Sequence, residues 1–335
     1  MNFDLSEDQQ TIKRTAHDLL AARLRPERLR ELAEAGRDDD ETWAELIELG
    51  WPGIAVSERS GGQGLGAVEL IVLQEELGYA LAPVPFLSTV GAALVLEHGG
   101  SDEQRERWLP GVLSGAARGT VGVLSGGRAP LVPDADGAAF VILVDPAAGV
   151  TRLVEAGEAQ VSSLETIDMT RRFAEVSAPA DAGEPLQGDV AGALDRLAVA
   201  TAAESVGLAQ RMMEAAVAYA KDRRQFGQPI GIHQAVSHRC AQMLLETESA
   251  RSATYFAAWA ADHEPASLPL AAASAKAYAS DAGARVPASA LQVHGGIGFT
   301  WEHDLHFFLK RGTVNARLYG SASSMRERVA ELITA

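Results

Sequence analysis

Three long segments of this chain carry apolar residues at helical period: Val190–Lys221, His233–His263 and Leu268–His294. Helices of that length joined by short connections bury their apolar stripes most readily against one another, so the spacing predicts an antiparallel bundle. The third segment is rich in alanine, which suits close helix–helix approach. The run Gly295-Gly-Ile-Gly298 then breaks the pattern sharply, and Glu302–Leu309 and Thr313–Leu332 are expected to finish the bundle.

The junction between the first two segments, Ala220 to Gln234, crowds two arginines, an amide and a phenylalanine ahead of Gly227-Gln-Pro229. A helix is expected to carry Lys221 to Gln225 at its C-terminal end, where its dipole favours cations. Gly227 and Pro229 would then reverse the chain. A cationic, donor-rich corner between helices suits an anionic ligand; the alternative is an exposed turn with solvated charges.

Ahead of the bundle, Ser6 and Gln9 have capping-box spacing, and helical patterns recur at Glu41–Leu49, Val68–Leu81, Phe86–His98 and Gln104–Leu113. Glycine and proline separate them. Near Gly115 the character changes. Gly119–Leu124, Ala139–Val144, Arg152–Ala156 and Phe173–Ser177 are short, β-rich and bounded by breakers, and predict a small antiparallel unit. The expected organisation is mainly α with a small β domain: an N-terminal helical domain over 1–115, a reduced middle β domain over 116–187 and a C-terminal four-helix bundle over 188–335.

Charge and composition remove several function classes. The 335 residues carry a net charge of −16, which repels nucleic acid, and no polybasic run faces an anionic membrane. The single cysteine, Cys240, excludes an intrachain disulfide and fits a reducing cytoplasm. The acidic start, Met1–Glu7, does not read as a signal peptide, and no apolar run is long enough to span a bilayer.

Among the motifs, Gly61-Gly-Gln-Gly-Leu-Gly66 lacks the strand and βαβ unit that a dinucleotide fingerprint needs. His303 and His306 share a helical spacing but lack a third ligand, so no metal is expected and packing is the reading. His294 and Cys240 read as core residues. Gln292-Val-His-Gly-Gly-Ile-Gly298 is compatible with a helix C-cap, and equally with a backbone that a flat or phosphorylated ligand can approach. Asp195 and Glu204, nine residues apart, fall on opposite helix faces, so they cannot both line one pocket; either could be a base or a solvated charge.

Taken together, Asp222-Arg-Arg-Gln-Phe-Gly-Gln-Pro-Ile230 with His233-Gln234, and Leu291-Gln-Val-His-Gly-Gly-Ile-Gly-Phe-Thr-Trp-Glu-His303, resemble the acyl-CoA dehydrogenase family over nearly the whole chain. Weaker matches are the Gly61–Gly66 run, Gln74-Glu-Glu-Leu-Gly78 and Asp168-Met-Thr-Arg171. The resemblance implies FAD as cofactor and an acyl-CoA substrate desaturated between its α and β carbons. It implies that Arg223, Gln225 and Phe226, with Gln292, Gly295 and Gly296, hold the dinucleotide of a neighbouring subunit, and so that the protein is an oligomer. It also marks departures. The family's usual catalytic glutamate would stand at Gly320, within Leu318-Tyr-Gly-Ser-Ala322. A minority of members place the base on the first bundle helix, where Asp195-Arg196 lies, so Asp195 is the candidate base; Glu204 sits in a family pattern that implies a structural role. The loop that would lie against the flavin ring is replaced by Leu124-Ser-Gly-Gly127. These departures point to a degenerate subunit paired in a hetero-oligomer with a full-length acyl-CoA dehydrogenase chain. The alternatives are a self-contained homo-oligomer using Asp195 and a non-catalytic scaffold or CoA-ester-binding protein. A sterol-derived CoA thioester is the expected substrate class.

Overall fold

The structure is a computed structural model and describes residues 4–334; Met1 to Phe3, part of the acidic start, lie outside the described residues. The helices are α1 (Glu7–Arg23), α2 (Pro26–Ala35), α3 (Asp40–Glu48), α4 (Ala67–Ala80), α5 (Phe86–Gly99) and α6 (Asp102–Leu113). After the strands come α7 (Val190–Asp222), α8 (Gln234–His263), α9 (Leu268–His294), α10 (Leu305–Asn315) and α11 (Ala322–Thr334). Ser6 and Gln9 form the expected reciprocal cap of α1, and Ser101 with Gln104 repeats it at α6. Helix α2, which the pattern reading does not anticipate, starts on Pro26, whose missing N–H costs nothing in a first turn.

By packing, the chain divides into two compact units: 1–30 with 71–82 and 198–335, and 31–70 with 83–197. The second unit holds the strands β1 (Gly119–Val123), β2 (Ala129–Pro133), β3 (Phe140–Asp145), β4 (Val150–Glu155), β5 (Gln160–Leu164), β6 (Phe173–Ser177) and β7 (Glu184–Pro185). They form two sheets, β1-β3-β4-β7 and β2-β6-β5. The expectation of an all-antiparallel unit is corrected here: β1 pairs with β3 in parallel, Gly119 opposite Phe140, while the other pairings are antiparallel. The reason is that β1 does not pair with β2: β2 joins the other sheet, so β3 reaches β1 after a crossover. Ala129, Val132, Val141, Leu143, Val154, Ala174 and Val176 form the buried layer shared by the strands of both sheets.

In the first unit, small residues set the helix spacing. Ala202 and Val206 of α7 pack with Ala250 of α8 and with Ala279 and Ala282 of α9. A side chain at Gly207 would run into the carbonyl of Glu75, and one at Gly312 into that of Gly283. These crossings of α7 on α4 and of α10 on α9 therefore require glycine.

The boundaries that change the reading most lie at the last helices and at the end of α7. The helical pattern at Thr313–Leu332 is interrupted, because α10 runs on to Asn315 and the chain turns through Tyr319, at φ +54°, and Gly320, at φ +118°. Helix α7 ends at Asp222 instead of carrying Gln225.

Candidate functional site

Beyond α7 the chain forms a hairpin in which β8 (Arg224–Gln225) pairs with β9 (Gln228–Pro229). Phe226 at φ +50° and Gly227 at φ +80° make the left-handed pair that a two-residue I′ turn needs. Glycine takes this conformation freely; a phenylalanine pays for it, at a cost on the order of 1–3 kcal/mol. Phe226 is also 95% exposed, so no packing within its own chain offsets that strain. Arg223 is exposed as well, and its side chain forms no ion pair or hydrogen bond among the described residues. Its backbone closes the hairpin, with Arg223 N donating to Tyr219 O at 2.8 Å and Ile230 N donating to Arg223 O at 2.8 Å.

The second half of the site is the end of α9. Gln292 is exposed in the last turn. Gly295, at φ +62°, donates its N–H to the carbonyls of Leu291 and Gln292, so this N–H serves as the helix cap and is not open to a ligand. The space above Gly295 and Gly296 is another matter: a Cβ at either position would meet nothing within 4 Å. Tyr219 of α7 stacks on His294 of α9 with ring centroids 4.4 Å apart. Because Arg223 lies one turn beyond Tyr219 and Gly295 follows His294, that stack brings the hairpin and the glycine corner to one end of the bundle. All six expected cofactor residues thus lie on one end of the first unit, with Gly295 half-buried and the other five exposed.

This end fits a diphosphate. It offers an uncommitted guanidinium fork, two exposed amides in Gln225 and Gln292, and an open backbone at the glycines. Exposed Ile232, Ile297, Phe299 and Trp301 belong to the same segments. Two exposed amides, a strained aromatic and an apolar rim make a surface suited to being covered.

The carboxylates sort differently. Glu204 is fully buried and accepts from Arg311 Nη1 at 2.7 Å and from Asn315 Nδ2 at 3.1 Å. It is a structural ion pair tying α10 to α7. Asp195 is 2% exposed and takes part in the chain's own interactions. The solvated-charge reading fails for both, because each carboxylate is itself buried.

At Gly320, where the family's glutamate would stand, φ is +118° and a Cβ would run into Met325 Cε. The Gly320 carbonyl is held by Lys276 Nζ at 2.8 Å; the same ammonium donates to Asn315 O at 3.0 Å and Ser280 Oγ at 2.8 Å. Burial pulls the Lys276 amine down to about 7, although three acceptors favour its charged form. Pattern reasoning passed over Lys276; the available signal was a lone lysine inside the alanine-rich α9 segment. In the second unit, the ring-cradling loop is replaced by a tight turn: Ser125 pairs with Arg128 across Gly126 and Gly127, at φ +60° and +82°.

His303 and His306 sit in an aromatic cluster. His306 lies 4.5 Å from the Trp301 ring and His303 5.1 Å from His294, consistent with packing. Burial lowers the pKa values of His294 and His306. Cys240 is half-buried, with its thiol pushed up by burial.

The profile of the acyl-CoA dehydrogenase C-terminal domain matches residues 188–334, and that of the N-terminal domain matches 6–116. The chain belongs to the acyl-CoA dehydrogenase family, flavin-dependent oxidoreductases with FAD as cofactor. It is 33% identical to the acyl-CoA dehydrogenase IpdE2 of Mycolicibacterium smegmatis, over 97% of this chain and 98% of that one. Among solved structures it resembles the Tcur3481-Tcur3483 steroid ACAD, with a TM-score of 0.89 and 30% identity over 98% of each chain. It also resembles the ChsE4-ChsE5 complex of Mycobacterium tuberculosis, with a TM-score of 0.90 and 26% identity over 100% of this chain and 99% of that one. No helix among the described residues is long and apolar enough to cross a membrane.

Proposed function

We propose that this chain is the subunit of a cytoplasmic, heteromeric acyl-CoA dehydrogenase that lacks its own base, and that it completes a FAD site carried by a full-length partner. The observation that carries this reading is the Gly320 turn, which has no carboxylate and whose φ of +118° disfavours any side chain. The tight Ser125–Arg128 turn supports it, since no loop is left there to wall a flavin ring. Bound FAD would accept the hydride removed from the substrate β carbon. In this chain, Arg223 would pair with the diphosphate, Gln225 and Gln292 would orient the dinucleotide, and Phe226 would cover it from water. Gly295 and Gly296 would admit it close to the backbone. The α-proton would go to a carboxylate of the partner. A bulky, steroid-derived CoA thioester is the substrate class, a reading supported by the likeness to a steroid ACAD.

Co-expression with a neighbouring full-length dehydrogenase gene tests the assignment. The expected result is a yellow heteromer whose flavin content falls at least tenfold in Arg223→Ala, with assembly retained. Purification of this chain alone as an active, yellow homomer that loses turnover in Asp195→Asn would overturn it in favour of Asp195 as base. A colourless homomer with no partner would favour the scaffold reading.

A further inference from the structure

A cavity lies within the first unit, where α1, α2, α4, α7 and α10 meet, and none of the cofactor residues lines it. Its volume is about 370 Å³, inside the range of about 300–1,000 Å³ that small-ligand pockets occupy. Leu20, Leu24, Leu29, Met212 and Phe308 supply an apolar floor, four of them buried in the core.

The charges at the wall are unbalanced in one direction. Glu76 is already spent: one oxygen faces His17 Nδ1 at 2.9 Å and the other Lys13 Nζ at 3.6 Å. Asp304 is paired with Arg30. Arg25 and Arg211, by contrast, form no ion pair among the described residues, in a chain whose net charge is −16. Arg211 lies over the Tyr79 ring, 5.4 Å from its centroid, and its Nη1 donates to the Tyr79 hydroxyl at 3.5 Å, which orients the guanidinium without neutralising it. His303, also at the wall, keeps a buried Nδ1 with no hydrogen-bond partner. Two guanidinium groups without a carboxylate partner and an unbonded imidazole nitrogen above an apolar floor suit an anion with a hydrocarbon body.

We infer that this cavity binds an amphipathic carboxylate, its hydrocarbon part on the leucine floor and its carboxylate between Arg25 and Arg211. The ligand is a free acid of medium size, and the site is separate from the surface assigned to the dinucleotide. The inference does not rest on the proposed function.

Isothermal titration of the full chain, in whatever assembly it purifies, tests this with sodium decanoate and decan-1-ol as probes. Decanoate should bind saturably at one site per chain and at least tenfold more tightly than the alcohol. Arg25→Gln with Arg211→Gln should remove that preference, and Ala215→Trp, which fills the cavity from α7, should abolish binding of both probes. Equal binding of acid and alcohol, no saturable binding, or decanoate binding that survives Ala215→Trp would each overturn the inference. The readout needs neither flavin nor turnover, so its failure would leave the heteromer assignment standing.

Discussion

Lys276→Met is a sensitive probe of how the turn at Gly320 is held. The wild-type ammonium is buried at 1% exposure and bridges Ser280, Asn315 and Gly320. Methionine keeps the apolar stem and removes all three donors, leaving two carbonyls short of a partner at about 1–3 kcal/mol each. The pH dependence separates this from ordinary core damage. Folding lowers the amine from 10.5 to about 7, so the unfolded chain holds more protons throughout that interval. Wild-type stability therefore rises with pH across it, by up to about 1.4 kcal/mol per unit. The variant lacks that slope. Urea unfolding of both proteins at pH 7.5 and 9.5 should show the wild-type advantage growing by about 2–3 kcal/mol over those two units. Parallel pH profiles would refute the reasoning, since they would mean that Lys276 stays fully charged in the folded chain.

Asp134 gives the opposite sign in the second unit. Burial raises its carboxyl from 3.8 to about 6 despite the Ser88 hydroxyl that donates to it. The stability this proton confers is fully present below the unfolded pKa and is lost as pH rises through about 6. Asp134→Asn should therefore be more stable than wild type at pH 7.5, by up to about 3 kcal/mol, with the gap closing by pH 4 in thermal melts. Arg311→Met strands the Glu204 carboxylate in the core and should cost about 3–5 kcal/mol, with part recovered on adding Glu204→Gln, as read by a double-mutant cycle. Gly320→Glu should not confer desaturase activity on the chain alone and should lower its melting temperature, because φ +118° opposes a side chain and Met325 would have to shift. Wild-type thermal stability in that variant would show that the turn can be rebuilt.

Periodicity and breakers alone determined most of the helices. Leu268–His294 matches to the residue, because a long segment with one apolar pattern has only one economical fold, and glycine ends it for backbone reasons that are local. The paired motifs around Arg223 and Gly295 were legible for the same reason. Turn chemistry and donor groups are written in short stretches of sequence. What only the tertiary structure decided are relations between distant residues. The parallel pairing of β1 with β3 depends on which sheet β2 joins. That Glu204 is a structural ion pair depends on an arginine 107 residues later, and the left-handed turn at Gly320 is held by a lysine from another helix. Local pattern carries the energy of backbone conformation and solvent exposure; it carries nothing about which buried charge will meet which partner.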